Sequence, residues 1–160
     1  LMNGVADDEF DPNATLTRSM MVTLLWRLEG ESVVNYLMPF DDVDEASWYG
    51  EAVRWAASEG IVTGVSENSY APNDPITREQ LAAILYRYAV YKDLDVSVGE
   101  DTNILSYADF AEISEYAIPA IQWATGSGLM RGVTDSELSP QGTATRAQIA
   151  TMMMRFIESF

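Results

Sequence analysis

The chain has 160 residues with 25 acidic and nine basic side chains, a formal charge of −16, and neither cysteine nor histidine. The missing residue types exclude a disulfide, a thiolate nucleophile, a Cys/His zinc site and an imidazole general base. The charge argues against nucleic acid and anionic membrane surfaces as partners, because both are bound through clustered Lys and Arg. Since 48% of the residues are hydrophobic and four are Trp, the composition predicts a folded protein rather than an acidic disordered chain.

Neither a membrane helix nor a signal peptide is indicated by the sequence. No apolar run approaches the roughly 18 residues that a membrane-spanning helix needs. Residues 1–15 carry acids and turn formers where a signal peptide has basic and apolar segments. Because a chain without cysteine suits a secreted bacterial protein as well as a cytosolic one, composition leaves the compartment open.

The first 29 residues form a segment that the chain repeats. Residues 1–29 align without a gap with residues 61–89 and with residues 129–157. The copies share a Gly-Val pair, a Pro, a Thr-Arg pair and a later Arg. The shared glycines are Gly4, Gly64 and Gly132, the Thr-Arg pairs begin at Thr17, Thr77 and Thr145, and the later arginines are Arg27, Arg87 and Arg155. Self-similarity in register at this period indicates a tandem-repeat protein.

The second and third copies extend further upstream than the first. Residues 40–60 match residues 107–128 once a one-residue slip is allowed, whereas the first copy starts where such a front half would end. Its missing first helix either lies upstream in a longer chain or is supplied by another molecule, and we expect the former. The predicted modules are residues 1–30, 40–89 and 107–160, and the predicted linkers are residues 30–39 and 90–106.

Each module is predicted to consist of a helix, a long loop and a second helix. In the second module, apolar residues recur at helical spacing over 48–59, and Gly60 suits a left-handed helix end. An irregular stretch rich in Gly, Asn and Pro follows, and Thr77 begins a second amphipathic helix. Since no useful strand-like alternation appears, the predicted fold class is all-α. One such unit cannot bury its apolar faces alone, so the modules are expected to pack together.

The Thr residues of the Thr-Arg pairs are predicted to be N-caps. Thr77 with Gln80, and Thr145 with Gln148, have the spacing of a capping box, in which the Gln side chain bonds back to the backbone of the cap. The first copy has Met20 at the fourth position, so its box should be half formed.

The Arg residues of these pairs lie on the first helical residue, where the helix dipole makes a cation unfavourable. They are Arg18, Arg78 and Arg146. One interpretation is an ion pair with a carboxylate of a neighbouring module, such as Asp42 or Asp109. The other is an anion site, in which the Arg fork and free helix N–H groups receive a carboxylate or phosphate. The residues alone leave both open, whereas the later arginines lie near helix C-termini, where a cation is favourable.

The large apolar side chains are mostly predicted to be core. Trp55 and Trp123 lie beside alanines within a predicted helix, and the Met-rich runs at 20–21 and 152–154 are typical of core filler. Trp48 lies at a helix start and is a candidate for lining a groove, although packing is favoured.

Several motifs resemble the S-layer homology domain, which typically occurs as three consecutive modules. They are F-x-D-V and W-x-x-x-A-V-x-W-A within residues 40–56, G-I-V-T-G at 60–64, Y-x-P-N-x-P-I-T-R-E at 70–79 and Y-R-Y-A at 86–89. The resemblance covers nearly the whole chain apart from the linkers. It implies an all-α, pseudo-threefold assembly of three modules around a central helical bundle.

The resemblance also implies non-covalent attachment to a secondary polysaccharide of the Gram-positive cell wall, often one carrying a pyruvate ketal. In that family the ligand occupies grooves between adjacent modules and contacts the Arg of a T-R-A-E motif, which corresponds to the helix-start arginines here. A ketal carboxylate suits a cation at a helix start, so the resemblance favours the anion site. The candidate carbohydrate-binding residues are Arg18, Arg78, Arg146, Trp48, Asp42, Asp109, Gly4, Gly64 and Gly132.

The chain departs from the family pattern at the last position of T-R-A-E, which holds Met20, Gln80 or Gln148. The third module has Tyr116 at the place of Trp48. Met20 puts the geometry of the first site in question. The other differences are compatible with one or two grooves that have lost the ability to bind the ligand.

The predicted function is a non-catalytic cell-wall anchor at the extracellular surface, bound to the polysaccharide attached to peptidoglycan and covalently linked to a cargo domain. No cofactor, nucleic acid or membrane insertion is expected. The alternative is a structural or protein-interaction module with degenerate grooves. A hydrolase is disfavoured because no acidic pair recurs at fixed spacing. Calcium is disfavoured because the acidic runs at 7–11 and 41–45 lack the Gly and terminal Glu of an EF-hand.

Overall fold

The computed structural model describes residues 11–99 and 101–159, and the regular structure within them is helical. The α-helices are α1 (Arg18–Leu28), α2 (Gly50–Ser58), α3 (Arg78–Tyr91), α4 (Ile118–Gly126) and α5 (Arg146–Ser159), with short 3-10 turns at Ser97–Gly99, Phe110–Glu112 and Glu115–Ala117. The described residues contain isolated β-bridges, such as that between Thr17 and Pro75, but no strand. The all-α prediction is therefore confirmed, while the pseudo-threefold arrangement stays a prediction.

Two compact units divide the chain between Ile76 and Thr77. The division falls inside the second repeat, between its loop and its second helix. In the first unit α1 packs against α2, and in the second unit α3 packs against α4. Within each unit, the helix that ends one repeat therefore packs against the helix that begins the next repeat.

The first unit is held together by apolar contacts and by loop hydrogen bonds. Met21 and Leu25 on α1, and Val53 and Trp55 on α2, are fully buried or nearly so. The loop that follows α2 returns to the start of α1, where the Ile76 amide donates to the Leu16 carbonyl at 2.9 Å. The burial of these apolar side chains is the main favourable term for packing the two helices.

Aromatic rings connect the three long helices of the second unit. The Trp123 ring on α4 meets Tyr86 of α3 edge-on at 5.7 Å and Phe156 of α5 edge-on at 6.4 Å, measured between ring centroids. Trp123 and its repeat equivalent Trp55 are both buried, which confirms that they belong to the core. The Met prediction holds for Met21, Met152 and Met153, which are buried, but it is wrong for Met20 and Met154, which are exposed.

The helix ends follow the predicted rules. Gly60 and Gly128 adopt φ angles of +69° and +74° after α2 and α4, a left-handed conformation that glycine adopts without steric cost. Thr77 and Gln80 form the complete capping box of α3. Thr145 and Gln148 exchange the same two hydrogen bonds at α5, at 3.1 and 3.3 Å.

The predicted second linker, residues 90–106, is partly ordered against the core of the second unit. Helix α3 extends to Tyr91, and the 3-10 turn that follows packs against α4. A Cβ atom on Gly99 would lie only 2.4 Å from the Cα atom of Trp123, so only glycine fits this approach. The segment therefore contributes to packing as well as connecting two repeats.

Candidate functional site

Two of the helix-start arginines connect their own repeat to the loop of the next one. Arg18 and Arg78 are both only 5% exposed. The Arg18 Nε donates to the Tyr70 carbonyl at 2.8 Å, and the Arg78 Nε donates to the Leu138 carbonyl at 2.7 Å. Tyr70 and Leu138 are repeat-equivalent residues, so the same brace occurs in both units.

The first helical amides beside these arginines are occupied. The Arg18 amide donates to the Asp74 carbonyl and the Arg78 amide to the Gly142 carbonyl, at 3.0 and 2.9 Å. The next amide of each helix donates to a proline carbonyl of the same loop, at 3.0 Å. The interpretation that free helix N–H groups assist an anion is therefore wrong for α1 and α3, because loop carbonyls satisfy these amides.

Ion pairs, which were the other interpretation of the helix-start arginines, are also absent at these two residues. Neither Arg18 nor Arg78 has a carboxylate oxygen of a described residue within 4 Å. Asp42 instead accepts the amides of Tyr70 and Ala71, each at 2.8 Å. The ion-pair interpretation is wrong here because the aspartate has a different role, which is to hold the loop that the Arg also binds.

Asp109 occupies the equivalent position in the second unit. Its carboxylate accepts the amides of Leu138 and Ser139 at 2.9 and 2.6 Å. Partial burial acts to raise the pKa of Asp109, but these amides, together with the nearby Arg78 cation, hold the pKa below its ordinary value. Burial lowers the pKa of Arg78, while Asp109 and Tyr107 act in the opposite direction. Arg78 and Asp109 therefore attract each other without a direct hydrogen bond.

A pocket of about 260 Å³ lies in the second unit beside Arg78. Three of the chain's nine basic residues line it, namely Arg78, Arg131 and Arg155, and no Asp or Glu does. Gln148 and Thr151 on α5 contribute neutral polar groups to the lining. The pocket is a local concentration of positive charge in a strongly acidic protein, and we call it the arginine pocket.

Backbone contacts hold two of these arginines in place. The Arg78 Nη2 donates to the Arg131 carbonyl at 2.6 Å, in addition to the Nε bond to Leu138. The Arg155 Nη1 donates to the Leu129 carbonyl at 3.2 Å. A guanidinium group carries five N–H donors, so Arg78 keeps donors for a ligand after both backbone bonds are made.

The repeat glycines permit a tight loop at the pocket edges. A Cβ atom on Gly132, which lines the arginine pocket, would lie 2.3 Å from the Thr134 carbonyl oxygen. A Cβ atom on Gly64 would lie 2.2 Å from the Ser66 carbonyl oxygen. Both glycines therefore have a structural reason to be present, and Gly4 lies outside the described residues.

The preferred interpretation of Trp48 as a packed side chain is wrong, because Trp48 is 58% exposed. Its ring contacts only the Tyr49 ring among the described aromatic pairs, in an edge-on arrangement with centroids 5.1 Å apart.

Tyr116, the counterpart of Trp48 in the third module, is also exposed, and its hydroxyl donates to Glu79 at 3.2 Å. Glu79 accepts the Ser114 amide and hydroxyl as well, so this buried carboxylate organises the start of the third module.

The pocket of the first unit differs in chemistry. Aromatic Tyr36 and Phe40 line it together with Gly64 and Glu67, and no basic residue is among its lining residues. Arg18 lies away from that lining, with its guanidinium carbon 4.7 Å from the centroid of the Tyr70 ring. The brace between the helix-start Arg and the loop is common to both units, whereas the arginine pocket belongs to the second.

Sequence reasoning missed Arg131 and the polar face of α5. The other copies have neutral Asn3 and Thr63 at the position of Arg131, so a cation confined to one copy was a visible signal. Its place in the pocket depends on the loop conformation, which the sequence pattern does not show. Arg146 is buried at the start of α5, and its role in ligand binding stays a prediction.

Within residues 11–99 and 101–159, no helix combines the length and apolarity that crossing a bilayer requires. The same residues contain no cluster of three or more potential metal-ligating side chains.

Helical repeats that pack against one another, with an arginine-lined pocket where the second and third copies meet, define a tandem-repeat module. The family model of the S-layer homology domain matches residues 39–82 and 106–150, together more than half of the chain. The chain belongs to the S-layer homology family, which confirms the resemblance seen in its motifs.

Relatives of this chain are much longer proteins. An amylopullulanase of Thermoanaerobacterium thermosulfurigenes is 31% identical over 99% of the chain but only 8% of its own length. An endoglucanase of Bacillus sp. strain KSM-635 is 33% identical over 96% of the chain and 16% of its length. The surface-layer 125 kDa protein of Lysinibacillus sphaericus is 29% identical over 99% of the chain and 13% of its length.

The matches show which part of these longer relatives corresponds to this chain. The relatives with enzyme names share only their S-layer homology region with this chain, and that region is a non-catalytic anchoring module. The family and the surface-layer relative place the chain at the cell surface, where S-layer homology domains bind components of the cell wall.

Proposed function

We propose that this module anchors a larger protein by binding an anionic secondary polysaccharide attached to peptidoglycan, with the arginine pocket as the principal site. The observation that carries the proposal is the placing of Arg78, Arg131 and Arg155 around one pocket without a lining carboxylate, in a chain of formal charge −16. Such a cluster is costly unless an anion neutralises it, because like charges repel.

The geometry suits a sugar that carries an acidic group, either a carboxylate or a phosphate. Guanidinium groups bind carboxylates through two parallel N–H bonds, and Arg78 is held rigidly by its backbone partners. A pyruvate ketal is one substituent that provides such a carboxylate. Gln148 and Thr151 supply neutral hydrogen-bonding groups of the kind that sugar hydroxyls use.

The first unit is proposed to be degenerate as an anion site. Arg18 is committed to the Tyr70 ring and carbonyl, and the described pocket of that unit has no basic lining residue. Exposed Trp48 offers an aromatic face to a neutral sugar instead. The lack of a cation in that pocket lining is the best support for the alternative role of a structural or protein-interaction module.

We propose that the module belongs to a longer polypeptide that also contains a cargo domain. The chain spans 8–16% of the length of the relatives described above, so an anchor of this size is expected to be covalently joined to a larger functional region. We propose that the module holds that region at the cell wall.

Co-sedimentation with purified peptidoglycan tests the proposal. The wild-type module should pellet with peptidoglycan that carries its polysaccharide and stay in solution when the polysaccharide has been removed. Arg155→Gln, which leaves the Arg78 brace intact, should weaken retention by about fivefold, because it removes one charge-assisted contact from the site. Lys92→Gln removes a cation outside the pocket lining and should bind within about twofold of wild type. Equal retention on stripped peptidoglycan would refute polysaccharide binding.

A further inference from the structure

The arginine pocket carries more positive charge than one carboxylate neutralises. We infer that it selects a doubly charged substituent on the wall polysaccharide, of which a phosphate monoester is the compact example, and that Arg131 provides the selectivity. This inference rests on the proposed function and adds the chemical class of the ligand group.

Arg131 is the feature that distinguishes this copy from the others. It directly precedes Gly132 at the pocket edge, where the first and second copies have Asn3 and Thr63. The residue is exposed, and its side chain makes no hydrogen bond with any described residue. Its backbone carbonyl, by contrast, accepts the Arg78 bond at 2.6 Å. Arg131 is thus fixed at its backbone beside Arg78 while its guanidinium remains available.

The charges around the pocket favour a dianion over a monoanion. Asp109 lies close enough to Arg78 to offset part of that cation's charge, which leaves Arg131 and Arg155 without an acidic neighbour in the lining. A carboxylate brings one negative charge, whereas a phosphate monoester brings about −1.5 to −2 at pH 7. The phosphate also has three acceptor oxygens, so it can contact more than one guanidinium group at once.

A matched pair of sugars tests the selectivity. Glucose 6-phosphate and glucuronic acid each place an anion at the sixth carbon of the same sugar, and their affinities for the 160-residue module are measured by NMR titration at pH 7.5. The wild type should bind the phosphate at least about fivefold more tightly, as expected for one additional partly exposed ion contact. Arg131→Thr, which installs the residue of the second copy, should reduce this preference to less than about twofold, and Lys92→Gln should keep it.

Each outcome bears on a different claim. Equal binding of the two sugars by the wild type, or an unchanged preference in Arg131→Thr, would overturn the inference. Retention on polysaccharide-bearing peptidoglycan would in that case still support the anchor. Failure of the wild type to bind either sugar would overturn the dianion site. A thermal melt of Arg131→Thr that superimposes on wild type shows that a lost preference is not due to unfolding.

Discussion

The helix-start arginine Arg78 combines a structural role with a place in the lining of the arginine pocket. The buried part of Arg78 holds the Leu138 and Arg131 carbonyls, while the remaining N–H groups face a pocket. The dipole penalty predicted for a cation at this position is outweighed by hydrogen bonds to two carbonyls, each worth about 1.5–3 kcal/mol for a charged donor. The side chain is therefore a structural brace as well as a candidate ligand contact.

Arg18→Lys should show the structural role alone. Lysine retains the charge but loses the planar Nε donor to the Tyr70 carbonyl and the stacking over the Tyr70 ring. We expect the free energy of unfolding to fall by about 1–3 kcal/mol, measured by urea denaturation. Arg131→Lys, at an exposed position, should stay within about 0.5 kcal/mol of wild type. Equal stability of the two variants would contradict the brace.

Asp109 should make stability depend on pH. Its pKa is below the ordinary value in the folded state, so its contribution is present above the unfolded pKa of about 3.9 and is lost as the pH falls through the lower, folded value. Asp109→Asn should therefore lower the melting temperature at pH 7, and the difference from wild type should shrink towards pH 3.

Asp135→Asn is the matched control for that measurement. Asp135 is an exposed carboxylate of the same loop, and its side chain makes no hydrogen bond within the described part of the chain. Its melting temperature should follow that of wild type across the pH range. A difference for Asp109→Asn that is constant from pH 7 to pH 3 would contradict the role of its ionised form.

At the scale of single helices, local sequence rules predicted most of the structure. The spacing of Thr77 and Gln80 predicted a capping box, and the glycines at 60 and 128 predicted left-handed helix ends; all are present. These features depend on residues within a few positions of one another, so a linear pattern is sufficient to find them. The turn at Ser97–Gly99 was missed because its partner, Trp123, is distant in sequence.

The incomplete cap of α1 can be repaired. Thr17 accepts the Met20 amide at 3.2 Å, but Met20 has no group to bond back to the cap. Because Met20 is 38% exposed, Met20→Gln should complete the box at little packing cost and raise the free energy of unfolding by about 0.5 kcal/mol. Met154→Gln, an exposed substitution within α5, should have no such effect in the same denaturation experiment. A decrease for Met20→Gln would contradict the proposed repair.

At the scale of the whole molecule, the compact units do not coincide with the sequence repeats. The repeat pattern shows which helices are equivalent, but it does not show that α1 packs against α2, or α3 against α4. Likewise, the positions of Arg78 and Arg155 were visible as repeated cations, whereas their meeting with Arg131 in one pocket depends on the loop between α4 and α5. Packing partners and pocket linings depend on contacts between residues that are distant in sequence, and a linear pattern does not show these contacts.

The acidic surface and the arginine pocket together suggest how the anchor discriminates. A formal charge of −16 repels every polyanion at long range, so an anionic glycan has to gain its affinity from short-range contacts in the pocket. This arrangement is expected to suppress binding to nucleic acid while a local site retains affinity for an anionic glycan.

The most direct test of the account is NMR shift mapping of the module with polysaccharide released from the cell wall. We predict that the largest backbone amide shifts will occur at pocket residues Arg131, Gly132, Gln148 and Thr151, and that they will saturate as polysaccharide is added. Shifts confined to other surfaces, or no shifts at saturating polysaccharide, would contradict the assignment of the arginine pocket as the binding site.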